Sequence, residues 1–93
     1  MAFIPAIDPA SGEVFAETPA TPASAVRGVV ARARAAQPSW AAATLAEREA
    51  IIARFQRLLF QRRQEMAALV TRENGKPIAE SLLTDVAVTL DVA

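Results

Sequence analysis

The residues best placed to do chemistry are Glu73-Asn74-Gly75-Lys76-Pro77. A carboxylate three residues before an ammonium can pair with it, hold a cation or, through the Gly-Lys step, bind phosphate. The phosphate reading fails on pattern. A phosphate loop needs Gly-x-x-x-x-Gly-Lys-Ser/Thr between a strand and a helix, whereas Lys76 follows a predicted helix end and precedes Pro77. Glu73 falls in the last turn of that helix, where a carboxylate faces the negative end of the dipole at a cost of a few tenths to about 1 kcal/mol. In the simplest reading Lys76 at i+3 compensates it and the pair is solvated.

What is missing narrows the chemistry further. The 93 residues contain no Cys and no His. That leaves no disulfide, thiolate zinc site or cysteine nucleophile, and no Ser-His-Asp triad or side chain titrating near neutrality. Ten basic and ten acidic side chains cancel, which argues against a general polyanion binder. The Arg residues between 27 and 63 are interleaved with Ala and lack an aromatic stacking platform, so no nucleic acid is expected. No apolar run approaches the ~20 residues that span a bilayer, and Met1–Asp8 has no basic residue to open a signal peptide. The default reading is a cytoplasmic protein that meets no membrane.

The elements that must position Glu73 and Lys76 are a β-hairpin over 1–20 and three helices over 21–93. Phe3-Ile4-Pro5-Ala6-Ile7 is a short strand that Pro5 confines to an edge. Asp8-Pro9-Ala10-Ser11-Gly12 is turn chemistry, and Glu13–Thr18 returns with Val14 and Ala16 on one side. The first helix is expected to be capped by Thr21, with Pro22 at its first position, and to end at Gln37-Pro38, leaving Trp40 in the connection over the helix junction. Its apolar repeat is Val26, Val29, Val30 and Ala33. Thr44-Leu45-Ala46-Glu47 is a capping box that opens a second helix running to 73. A left-handed Gly75 and Pro77 stop it. At about 44 Å this helix would outreach a globule roughly 30 Å across. The third helix runs from Ile78, with Ile78, Leu82, Val86 and Leu90 in a stripe. No cap closes it at Ala93, which reads as a helix cut in mid-course.

Charge and composition say how these pieces relate. Residues 1–20 carry −3, residues 21–64 carry +6 and residues 65–93 carry −3. Segments of opposite sign are expected to pack on each other or on a larger body. Hydrophobic residues reach 53%, yet 22 of the 93 residues are Ala. An Ala methyl buries about 0.8 kcal/mol, against roughly 1.5–3 for Leu, Ile or Phe. The core this chain can build is therefore thin.

The ordered combination resembles a known family. Asp8-Pro9-Ala10-Ser11-Gly12-Glu13-Val14 is followed by Val30-Ala31-Arg32-Ala33-Arg34-Ala35-Ala36 and Pro38-Ser39-Trp40. Ala46-Glu47-Arg48 and Glu73-Asn74-Gly75-Lys76-Pro77 come next. At these spacings the chain is similar to the N-terminal region of NAD(P)-dependent aldehyde dehydrogenases. The resemblance implies a mainly α segment with an N-terminal hairpin, the outer layer of the cofactor-binding domain in an α/β aldehyde dehydrogenase-like fold. It implies a longer parent that oxidises an aldehyde to a carboxylic acid with NAD or NADP. The catalytic Cys, the Glu general base and the cofactor-binding strands would lie beyond residue 93, so no catalytic or cofactor-binding residue is expected here. The partners implied are the remainder of the parent enzyme and a small aldehyde, within a homodimer or homotetramer.

The same resemblance gives two site expectations. The Glu73 carboxylate and the carbonyls of Ala6 and Ile7 would hold a monovalent cation, K+ or Na+, for which oxygen ligands are suited. Family members often carry Asp where Glu73 stands. Thr84 and Val88, one turn apart, would line a substrate tunnel; the plainer reading makes them helix-packing residues. The reading from a different class is a stand-alone helical adaptor that offers its Arg-rich face to an acidic partner.

Overall fold

In the computed structural model, which describes all 93 residues, a two-stranded hairpin leads into a single layer of helices. Strand β1 (Phe3–Ile7) pairs antiparallel with β2 (Val14–Pro19), Ala6 opposite Ala16 and Ile7 opposite Val14. The step from 16 to 14 leaves Phe15 as an extra residue, a bulge that turns one side chain out of the alternating pattern. That ring lies under the Arg72 guanidinium, 4.6 Å from its centroid. The bulge thus aims Phe15, not Val14 or Ala16, at the helices. The turn forms as its residues dictate. Asp8 Oδ1 accepts from Ala10 N–H at 2.8 Å, Asp8 O accepts from Gly12 N–H at 2.7 Å, and Gly12 takes φ 76°.

Helix α1 (Ala23–Ala42) departs from expectation at both ends. Pro22, extended at φ −65° and ψ 146°, is the cap position, and no side chain caps the helix start, so Thr21 does not act as the N-cap. The C-terminus moves too. Pro38 lies inside the helix, and Trp40 sits in its last turns, 44% exposed, instead of bridging a junction. Pro removes one N–H and disfavours the helical state of its predecessor. Three helix-favouring residues beyond Ser39 (Trp40-Ala41-Ala42) and the Ser39 hydroxyl, which donates to Ala36 O at 2.9 Å, offset that loss.

After the two-residue turn Ala43-Thr44, helix α2 (Leu45–Gln61) opens on the expected capping box. Thr44 Oγ1 accepts from Glu47 N–H at 3.2 Å, and Glu47 Oε2 accepts from Thr44 N–H at 2.7 Å. The single long helix over 45–73 is not what forms. It breaks at Arg62, which leaves helical geometry at φ −101° and ψ 18°, and resumes as α3 (Arg63–Asn74). Sharp bends occur where a side chain inserts into the hydrogen-bond ladder. Here Arg63 Nη1 donates to Phe60 O at 2.8 Å while its guanidinium lies 4.3 Å from the Phe60 ring centroid. Arg62 pairs outward with Glu65 at 2.6 Å.

Gly75 ends α3 at φ 80° in the left-handed region, as its position requires. The third helix then forms as α4 (Ile78–Glu80), a π-helical stretch over Ser81–Ala87, and α5 (Val88–Val92). Its hydroxyls turn back onto its own backbone: Thr84 Oγ1 donates to Glu80 O at 2.8 Å and Thr89 Oγ1 to Asp85 O at 2.6 Å. Such back-bonding competes with the regular ladder and accompanies its widening.

The layer is flat. It measures 47 × 37 × 16 Å with a radius of gyration of 17.2 Å, against about 12 Å for a compact domain of this length. Only Ala67, Ser81 and Val86 are buried, where α3 meets the 78–92 helix. Two small residues at that contact let the helix axes approach closely. No helix is long and apolar enough to cross a membrane.

Candidate functional site at the end of α3

The end of α3, the hairpin turn and the start of the 78–92 helix converge at one corner of the layer. Sequence alone places Glu73 and Lys76 here, and the fold adds what surrounds them. Gly75 lies against the hairpin turn, where a Cβ on it would stand 2.9 Å from Pro9 Cγ. Arg72 stacks on Phe15 and directs Nε toward Asp8 Oδ2 at 4.0 Å. Two hydrogen-bonded links tie the 78–92 helix to the same corner: Lys76 Nζ donates to Asp85 Oδ2 at 2.8 Å, and the Thr71 and Ser81 hydroxyls bond at 2.9 Å.

Lys76 therefore does not pair with Glu73. Its ammonium is taken by Asp85, nine residues on, because the Gly75–Pro77 stop turns the chain and carries Lys76 toward the next helix. Glu73 is exposed and has neither hydrogen bond nor ion pair. Ala6 is half-buried and Ile7 exposed on β1, which packs beside α3. The free Glu73 carboxylate and a neighbouring strand suit a monovalent cation, whose ligands are oxygens. No cluster of three acidic side chains exists for a multivalent metal. Thr84 is exposed with its hydroxyl proton committed to Glu80 O, and Val88 is 52% exposed on the same helix. Thr84 falls in the π-helical stretch, which the i+4 stripe of apolar residues did not reveal. The Thr71–Ser81 and Lys76–Asp85 links were likewise missed, since nothing in residue spacing signals a contact across a turn.

None of the residues fits a dinucleotide. Such a site needs a glycine-rich turn between a strand and the start of a helix. The three glycines lie in the hairpin turn, inside α1 and at the end of α3. No step of a redox reaction is routed through this chain.

The site is thus a joint between elements and holds no reaction centre, in a layer that leaves most of its apolar side chains uncovered. The chain matches the aldehyde dehydrogenase family over residues 2–93 and belongs to that family. No solved structure matches it.

Proposed function

We propose that these residues form the N-terminal outer layer of the cofactor-binding domain of an enzyme that oxidises an aldehyde to a carboxylic acid with NAD(P)+. The observation that carries this reading is the family match across residues 2–93. The flat layer with three buried residues supports it, because domains are built from two or three packed layers around one core. In the reaction the aldehyde gives up a hydride to the nicotinamide and gains an oxygen from water. The nucleophile for it comes from outside this Cys-free chain. The role of residues 1–93 is to cover and brace.

The finer assignments rest on the same reading. Glu73 with the carbonyls of Ala6 and Ile7 holds K+ or Na+, bracing the hairpin against α3. Thr84 and Val88 face the substrate tunnel. The enzyme is a cytoplasmic homodimer or homotetramer. The test is to purify the polypeptide of the complete reading frame and follow reduced nicotinamide over a panel of aldehydes with NAD+ and NADP+. Aldehyde-dependent reduction is expected, and its absence for every aldehyde sinks the reading. Potassium titration of the same protein, followed by its thermal midpoint, should raise the midpoint, and Glu73→Gln should abolish the rise. Val88→Phe should shift aldehyde preference; a change in stability alone would return Val88 to a packing role.

A further inference from the structure

Helix α1 packs on no other element to any substantial extent. A 20-residue helix draws most of its stability from packing its apolar face, and here Val26, Val29, Val30 and Trp40 are all exposed. Helical geometry at 100° per residue sets Arg32 along one edge of that face and Arg27 and Arg34 along the other. None of the three makes an ion pair, and no acidic residue lies between Glu17 and Glu47.

The same chain carries the complement. The 78–92 helix exposes Ile78, Leu83, Val88 and Val92. Its charges are Glu80, Asp85 and Asp91, and no basic residue follows Lys76. Glu80 and Asp91 have no ion-pair partner. The opposite-sign segments expected to pack on each other thus stay apart within one copy. We propose that they meet between two copies: α1 of each chain docks on the 78–92 helix of the other, giving a reciprocal two-fold dimer.

Size and charge fit this occupant. The two helical surfaces are about 30 and 22 Å long at 1.5 Å per residue. The chain exposes 7283 Å², where a compact monomer of its mass exposes about 5,200 Å². The excess exceeds the roughly 800 Å² that each partner contributes to a standard interface. In a two-fold arrangement the basic-to-acidic contact occurs twice. This inference does not depend on the enzyme reading, which concerns chain beyond residue 93.

Sedimentation velocity of the 93-residue chain over a range of concentrations tests it. A concentration-dependent dimer is expected that weakens from about 0.1 M to 1 M salt, as screening shortens from ~10 to ~3 Å. The variant Arg27→Glu/Arg32→Glu/Arg34→Glu and the variant Glu80→Lys/Asp91→Lys should each weaken self-association by at least about tenfold. Mixed together they should form a heterodimer near wild-type strength, because both contacts are then attractive again. Circular dichroism verifies that each variant keeps its helix content; the milder Arg32→Gln/Arg34→Gln and Glu80→Gln/Asp91→Asn pairs replace one that does not. A wild-type chain that stays monomeric, a dimer indifferent to charge reversal, or a mixture no stronger than its components would each overturn the proposal.

Discussion

Lys76 reaches across the Gly75–Pro77 stop to place its ammonium 2.8 Å from the Asp85 carboxylate, which fixes the direction of the 78–92 helix relative to α3. Both side chains are about one-third exposed, so solvent screens much of the attraction. A Lys76→Met, Asp85→Asn double-mutant cycle in urea should give a coupling energy of about 0.5–1 kcal/mol. A coupling near zero would show that the ion pair follows the helix direction without setting it.

Gly75 is required for two separable reasons. Its φ of 80° lies in the left-handed region, and an added Cβ would meet Pro9 Cγ at 2.9 Å. Gly12, at φ 76°, shares only the first, since nothing lies within 4 Å of its Cβ position. Gly12→Ala should therefore cost about 1–2 kcal/mol and Gly75→Ala more. Adding Pro9→Ala, which removes Cγ, should recover the excess at Gly75 and leave the Gly12 cost unchanged. Urea denaturation of the four variants checks this; equal costs for the two glycines would remove the hairpin from the account.

The capping box gives α2 a pH dependence of known sign. Hydrogen bonds from the Thr44 backbone N–H, and next from its hydroxyl, hold the Glu47 carboxyl below its ordinary 4.5. A carboxyl whose folded value is depressed stabilises the fold above its unfolded value and loses that contribution as pH falls through the folded one. Helix content should therefore drop below about pH 4.5 more steeply in the wild type than in Glu47→Gln. Thr44→Ala should cost about 1 kcal/mol near neutral pH. Acid titrations followed by circular dichroism at 222 nm would expose an error as parallel curves.

Local signals were legible in the sequence where a residue acts on its own neighbourhood. The Asp8–Gly12 turn, the Thr44–Glu47 box and the Gly75 stop each follow from side chains bonding within four residues, and all three form. The readings that failed involve a choice between competing terms. Pro38 was weighed as a breaker, but the helix-favouring residues after it carry α1 to Ala42. The apolar stripe over 51–70 is continuous through Arg62, so periodicity could not show that Arg63 would turn back onto Phe60 and break the helix. The pairing of Glu73 with Lys76 followed i+3 spacing, which ceases to apply once Gly75 leaves the helix. The bulge at Phe15 and the π-helical stretch at 81–87 are register changes, and the apolar pattern does not encode them. The family was legible from the order of several short segments, none of which is specific alone.

The buried contact between Thr71 and Ser81 should behave asymmetrically. Ser81 is fully buried, and the Thr71 hydroxyl 2.9 Å away is the only hydrogen-bond partner of its Oγ. Thr71→Val removes that partner and leaves a buried hydroxyl unsatisfied, at a cost of about 1–3 kcal/mol. Ser81→Ala leaves the unpaired hydroxyl on Thr71, which is only part-buried and can turn to water, so it should cost less. The double variant replaces both polar groups with apolar ones of similar shape and should lie closer to wild type than Thr71→Val alone. Urea midpoints of the three variants measure this. A double variant as unstable as the two single costs added together would mean that the hydrogen bond itself, and not the penalty of leaving it unmade, holds the 78–92 helix against α3.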